Sequence, residues 1–340
     1  MSIRAVVVVG ASAGGVEALR AFVAGLSPGL PAAVLVVLHV PRDSPSALPL
    51  ILARSGPLPA SHAVDGESLT AGRIRVAPVD HHMLVLDNHV RLSRGPAENG
   101  HRPAIDPLFR SAARALGAGV IAVVLSGARD DGTAGMASVI SRGGVGLVQD
   151  PDDALHPSMP RNALEHVAVE HVLPAIHLGK AVSDLVMERA RAEHGAGYDP
   201  LLEAETAMAS MDDLTTDETG ARPSGLACPA CHGVLFELPG APQPRYRCRV
   251  GHAWSPESLL DEQAEALEGA LWMALRALEE KAALSQRMAV SARHRGTTST
   301  ARRLEEASSE ADQASDLIRD LIPRLAGLTT GSHGAGRGVP

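Results

Sequence analysis

The 340 residues carry a net charge of −8, with 45% hydrophobic but only 2% aromatic residues. The core must therefore be aliphatic, and the acidic balance argues against a general polyanion binder, since phosphate affinity comes from Lys and Arg. No run approaches the roughly 18 apolar residues of a membrane span, nothing at the N-terminus reads as a signal peptide, and three cysteines are an odd number for a disulfide framework, so the chain reads as soluble and cytoplasmic, without membrane insertion.

In chain order, Val6–Val9, Ala33–His39, Val120–Leu125 and Val145–Val148 are apolar on both faces, as parallel strands covered by helices are. Helical patterns follow at Val16–Gly25, Ser46–Arg54, Asp106–Leu116 and Thr133–Ser141. The alternation predicts an α/β fold with a doubly wound, mostly parallel sheet over residues 1–190. Met83–Leu86 and His89–Leu92 flank Asp87-Asn88 and predict an inserted β-hairpin. Residues 191–222 are rich in acids and weakly periodic, which reads as a mobile linker in which Leu201–Met211 can form a short helix. Residues 223–256 hold all three cysteines and read as a small zinc-ribbon-like module. Residues 257–328 then predict an α-helical hairpin, with Leu260, Ala264, Leu267, Leu271, Ala274 and Leu278 at heptad spacing, and 329–340 a disordered tail.

Gly10-Ala11-Ser12-Ala13-Gly14 matches G-x-S-x-G between a strand and a helix, the setting of a nucleophile elbow. The turn on its own leaves three readings open: a nucleophile, a phosphate cradle, or a serine capping the next helix. A dinucleotide site needs a second glycine where Ser12 stands. His39 closes the second strand, and Asp130 and Asp131 follow the Val120–Leu125 strand. Ser, His and Asp thus emerge at the carboxyl edge of one sheet, where such folds build their sites. Their order differs from the Ser, Asp, His order of α/β-hydrolases.

The blocks "VVGASAGGVEAL", "VLHVP", "HAVDGESLTAGRIRVAPVDHHM", "HRPAIDPLF", "LSGARDDGTAGM" and "DPDDALHPSMPRNAL" resemble, in order, the catalytic domain of CheB-type protein-glutamate methylesterases. That resemblance implies hydrolysis of glutamate methyl esters on the cytoplasmic helices of chemoreceptors, and deamidation of receptor glutamines. It makes Ser12 the nucleophile, His39 the general base and Asp131 the triad acid, with no cofactor needed for catalysis. Asp130 is left as a capping or solvated acid. The backbone N–H groups of Ala128 and Ala13 become oxyanion donors; Ala13 and Ala128 stand where the family often has Thr and Met. His101-Arg102 is placed beside the substrate cleft, where a basic pair can meet acidic helices. Members commonly carry an N-terminal receiver, and the catalytic strand here begins within the first residues, so control through a fused receiver is not expected.

Cys228-x2-Cys231 with Cys248-x3-His252 offers four ligands for a tetrahedral ion. Structural zinc is the expected occupant, with His232 as a less well placed substitute for His252. Arg245, Arg247 and Arg249 form a basic strip around Tyr246, too short to make nucleic acid an expected partner. The helices can pack on themselves, self-associate or dock on a receptor. The alternatives to an esterase are a catalytically silent scaffold that uses ribbon and helices, and a nucleotide-binding α/β module.

Overall fold

The computed structural model describes residues 5–42, 46–188, 199–211, 221–239 and 243–329. The chain divides into two compact units, Met1–Leu259 and Leu260–Pro340. The first begins β1 (Ala5–Ala11), α1 (Gly15–Ala24), β2 (Ala32–Leu38), α2 (Leu48–Ser55), β3 (Ala60–His62), β4 (Arg73–Val76), β5 (His82–Leu86), β6 (His89–Ser93) and α3 (Ile105–Leu116). It continues through β7 (Val120–Val124), α4 (Thr133–Ser141), β8 (Val145–Gln149), α5 (Ser158–His166), β9 (His171–Leu173), α6 (Ala175–Glu188) and α7 (Pro200–Ser210). Then come β10 (Arg222–Ala227), β11 (Val234–Leu238), β12 (Arg245–Cys248), β13 (Ala253–Trp254), α8 (Pro256–His294) and α9 (Thr298–Thr329).

Seven strands form one parallel sheet in the order β3-β4-β2-β1-β7-β8-β9. Every residue of β1 and β2 is buried. Alternate side chains of these strands feed two aliphatic cores, one on each face of the sheet. The chain winds outward in opposite directions from β1, so the carboxyl ends of β1, β2 and β7 open onto a switch point of the sheet. The hairpin is β5–β6, turned by Asp87 and Asn88 at φ 47° and 62°, the signature of a two-residue primed turn.

Part of the stretch read as linker is ordered. Asp199 accepts from the N–H groups of Leu201 and Leu202 at 3.0 and 3.1 Å, Pro200 sits at the first helical position, and α7 buries Leu202, Glu205 and Met208. Residues 191–198 and 212–220, also read as linker, and 330–340 of the expected tail lie outside the described residues.

The four-stranded sheet β10-β11-β12-β13 belongs to the same compact unit as the α/β fold. A buried charge cluster joins them. Glu98, in the loop after β6, accepts from Arg110 of α3 at 2.6 Å and from Arg247 of β12 at 2.9 Å. Glu205 of α7 takes both amino groups of Arg245, at 2.9 and 2.6 Å, and Arg247 at 3.2 Å. Two arginines of the expected basic strip therefore face inward. Only Arg249 remains exposed, with its guanidinium 5.8 Å from the Phe236 ring centre.

Burial alone would raise the Glu205 carboxyl, but Arg110, Arg245 and Arg247 together hold it down to about 2. Its stabilising contribution is thus fully present above the ordinary glutamate value of about 4.3 and is lost as pH falls through about 2. Removing one member strands the others: Glu98→Ala is expected to cost about 3–5 kcal/mol in urea unfolding at neutral pH.

The second unit is an antiparallel pair, the part of α8 from Leu260 onward against α9. Arg293 pairs with Glu305, Arg319 with Glu279, and Ser308 Oγ donates to the carbonyl of Ala282. Leu275, Ala282, Ser285, Ala289 and Ala292 face Ala301, Ser308, Ala311, Ser315 and Ile322 in a seam of mostly small residues. Leu260 and Leu267 of the expected heptad are exposed, ahead of this seam.

Candidate active site

The turn after β1 is built for close approach. Gly14 has φ +68°, a left-handed conformation that a side chain resists. A Cβ on Gly127, in the loop after β7, would lie 3.0 Å from Ser12 Cβ and 2.6 Å from Met159 Sδ, so only glycine lets that loop close on Ser12. The Ser12 N–H donates to the Ser126 carbonyl at 3.0 Å, and Ser126 Oγ donates to the Ala13 carbonyl at 2.8 Å. The turn and the β7 loop are thereby fixed together. Helix α1 has Gly14 at its N-cap with no side-chain cap bond, so Ser12 does not serve as a cap.

The Ser12 hydroxyl instead meets His39 Nδ1 at 3.1 Å, and His39 Nε2 meets Asp131 Oδ2 at 2.8 Å. A carboxylate can only accept, so Nε2 carries the proton and Nδ1 offers its lone pair to Ser12. Asp131 is buried and has four donors. Oδ2 also accepts from the Ile105 N–H at 2.7 Å; Oδ1 accepts from the Asp106 N–H at 3.2 Å and Asn99 Nδ2 at 3.0 Å. The two backbone donors open α3, whose dipole adds to the effect. Burial works to raise the Asp131 carboxyl, yet the His39 hydrogen bond and charge and the Ile105 N–H keep it down at about 2. A linked hydroxyl, imidazole and ionised carboxylate can generate an alkoxide-like nucleophile near neutral pH.

Among the described residues, no protein acceptor takes the N–H of Ala13 or of Ala128. Ala13 follows Ser12 within its turn, and Ala128 follows Gly127, which closes on Ser12. His101 stacks on His39, with ring centroids 3.7 Å apart and 14° between planes. Burial, with His39 beside it, pushes His101 down to about 3, which keeps it neutral. Arg102 is occupied: it holds Asp80 at 2.7 and 2.9 Å and donates to the Gly95 carbonyl at 2.8 Å. The more open cations beside it are Arg42 and Arg94, with side chains 61% and 67% exposed, both drawn toward the same Asp80.

Asp130 is not a solvated acid. It is buried and accepts from Ser255 Oγ at 2.6 Å and Ser258 Oγ at 3.0 Å, anchoring the first turn of α8. Sequence reasoning missed Asn99 and Asp106. Asp106 shares the Asn99 amide with Asp131 and accepts from the N–H groups of Gly132 and Gly135 at 3.1 and 2.6 Å. Burial and then Asp131 push its carboxyl up to about 7.

In the Cys-rich module, ligand atoms of Cys228, Cys231, Cys248 and His252 all lie within 4.8 Å of one another. Cys231 and Cys248 Sγ are 3.6 Å apart, as are Cys248 Sγ and His252 Nδ1. Tetrahedral bonds of about 2.3 Å to sulfur put ligands about 3.8 Å apart, so this set fits an ion such as zinc. His232 is not in the cluster; its N–H donates to the Cys228 carbonyl at 2.7 Å and closes the Cys-x2-Cys turn.

A family model described as CheB methylesterase matches residues 7–182. A protein-glutamate methylesterase/protein-glutamine glutaminase of Anaeromyxobacter dehalogenans is 38% identical over 180 residues, covering 53% of each chain. One from Pseudomonas aeruginosa is 37% identical over 202 residues, 57% of this chain and 56% of that one. The CheB methylesterase catalytic domain of Thermotoga maritima superposes with a TM-score of 0.52 at 30% identity, over 54% of this chain and all of that one. This chain thus spans about half the length of the curated relatives it matches. With a family match over more than half its residues, overlying the parallel sheet and all three members of the Ser12 hydrogen-bonded series, the chain belongs to the CheB methylesterase family.

Proposed function

We propose that the protein is a serine hydrolase that removes methyl groups from glutamate methyl esters on the cytoplasmic helices of chemoreceptors, and deamidates receptor glutamines at the same site. The observation that carries this reading is the unbroken series Ser12 Oγ, His39, Asp131 at the switch point of the sheet. Ser12 Oγ attacks the ester carbonyl as His39 Nδ1 takes its proton. The oxyanion gathers the N–H groups of Ala13 and Ala128. Collapse breaks the C–O bond, and methanol leaves with the proton from His39. Water, deprotonated by His39, then cleaves the glutamyl ester on Ser12, giving the free glutamate side chain and the Ser12 hydroxyl. With a glutamine, the same sequence releases ammonia. Asp131 keeps Nδ1 as the acceptor throughout, and none of these steps calls for a cofactor.

The four ligands of the Cys-rich module leave no open position on an ion, so zinc there would hold the fold together and take no part in the chemistry. Action on receptor cytoplasmic helices places the protein in the cytoplasm, and no helix among the described residues is long and apolar enough to cross a membrane. The exposed Trp272, Met273 and Met288 of the helical pair give self-association an apolar surface.

The test is methanol release from receptor cytoplasmic fragments that carry glutamyl methyl esters, with ammonia release from the glutamine form as the second arm. Release of neither by folded protein would favour the scaffold reading. The substrate contact assigned to His101-Arg102 moves outward: His101 supports the base, while Arg42 and Arg94 meet acidic groups flanking the ester. Replacing both Arg42 and Arg94 by alanine is expected to raise KM roughly threefold to tenfold with kcat little changed. The loss should shrink as salt screens these exposed charges.

A further inference from the structure

We infer that Asn99 is a positioning residue for Asp131, and that the Cys-rich module sets the esterase's turnover by holding Asn99 in place. The inference rests on the function proposed above and concerns the regulation of that same site. Asn99 is buried at φ 51°, between two buried carboxylates. Its Nδ2 donates to Asp131 Oδ1 at 3.0 Å and to Asp106 Oδ2 at 3.3 Å. Its Oδ1 accepts from the backbone N–H of Ser255 at 2.9 Å. A flipped amide would set oxygen against two carboxylates and NH2 against an N–H, so the orientation is determined.

Among the described residues, the remaining hydrogen bond of Asn99 also goes to the module. The Asn99 N–H donates to the Ala253 carbonyl at 2.8 Å, and Glu98 bridges Ala253 in parallel register while its carboxylate holds Arg247. Ala253 directly follows His252, one of the four clustered ligands, and Ser255 stands three residues after it. Trp254, between them, donates Nε1–H to Cys228 Sγ at 3.4 Å. A continuous path of four residues, 252–255, thus joins the metal ligands to the amide that separates Asp131 from Asp106. Without that amide, Asp131 Oδ1 keeps one backbone donor, at 3.2 Å, and faces a neighbouring acid. The carboxylate then loses the placement that orients His39, and small misplacements of such a group cost up to about a hundredfold in rate.

The experiment uses the full chain, zinc-loaded, chelator-stripped and zinc-restored, with Asn99→Ala prepared in the same three states. A fluorophosphonate that labels an activated serine reports Ser12 without any receptor, methanol release gives kcat and KM, and hydrogen exchange reports residues 97–101. Stripping wild type is expected to slow labelling and kcat roughly tenfold to a hundredfold. KM should stay within about twofold, exchange at 97–101 should accelerate, and zinc should restore all of these. Asn99→Ala is expected to match the stripped protein and to lose little more on stripping, because both act through one contact. Stripped wild type that labels at the loaded rate with unchanged exchange overturns the inference, as does Asn99→Ala labelling at the wild-type rate. If stripping proves to unfold the module, Asn99→Ala in the loaded state decides alone. Loaded wild type that leaves Ser12 unlabelled overturns the proposed function, and the inference with it; this outcome is separate from loaded wild type that labels while stripping and Asn99→Ala change nothing.

Discussion

Asparagine in place of Asp131 is expected to lower kcat by about 10⁴-fold, with KM little changed. The four donors around the carboxylate explain why a nearly isosteric change is so damaging. Oδ2 faces His39 Nε2 and the Ile105 N–H; Oδ1 faces Asn99 Nδ2 and the Asp106 N–H. An amide NH2 at the first position opposes Ile105 and offers His39 a donor, which drives the imidazole to the tautomer with its proton on Nδ1. That nitrogen then donates toward Ser12 Oγ and can no longer accept its proton. An NH2 at the second position opposes two donors, and the amide will favour the first arrangement or tilt away from both. Folding is expected to weaken by about 1–3 kcal/mol for the donor left unpaired. Steady-state kinetics beside a urea titration separates the two effects. A pH profile adds a sign: Asp131, held at about 2, stays ionised throughout a working range above pH 4, so a fall in rate between pH 7 and 5 belongs to another group.

Ser12→Ala is expected to reduce kcat by about 10⁶-fold, and His39→Ala by a similar factor. In the proposed mechanism the two belong to one proton-transfer unit, so the double variant should be hardly worse than either alone. The structure also predicts that Ser12→Ala folds normally. The turn is fixed by backbone bonds, from the Ser12 N–H to Ser126 and from the Gly15 N–H to the Ser12 carbonyl at 2.9 Å, and neither uses the hydroxyl. An unchanged melting temperature alongside lost turnover would assign the loss to chemistry.

The elements most legible in the sequence were those with the most uniform burial. β1, β2, β7 and β8 are apolar on both faces, and that pattern is local. β3, β4 and β9 leave no pattern in the sequence because they are three or four residues long and partly exposed, too short for a period to emerge. Ser12 and His39 each stand one residue beyond a strand, so strand ends marked them as candidates. In the sequence, only the family resemblance separates Asp131 from Asp130. The structure gives the physical difference: only Asp131 reaches His39, while Asp130 turns to Ser255 and Ser258. The Cys and His spacing marks Cys228, Cys231, Cys248 and His252 as one candidate ligand set because they lie close together in sequence, and the structure brings their ligand atoms together.

The docking of the module was not legible, because each partner pair is far apart in the chain. Glu98 and Arg247 are 149 residues apart, and Asn99 and Ser255 are 156 apart. Arg245 and Arg247 therefore read as a solvent-facing basic strip, when their counter-ions Glu98 and Glu205 were waiting in a loop and in what looked like linker. No local pattern distinguishes a buried arginine from an exposed one when its carboxylate arrives from elsewhere in the chain.

In the proposed hydrolysis of protein glutamate methyl esters, Ser12 forms the covalent intermediate. Rapid acid quenching of wild type and Ser12→Ala with a methylated receptor fragment, followed by methanol measurement and peptide mapping, tests it directly. Wild type is expected to release methanol and to carry a glutamyl ester on the peptide that contains Ser12, and Ser12→Ala to give neither signal. Methanol released at equal rates by both proteins would contradict it.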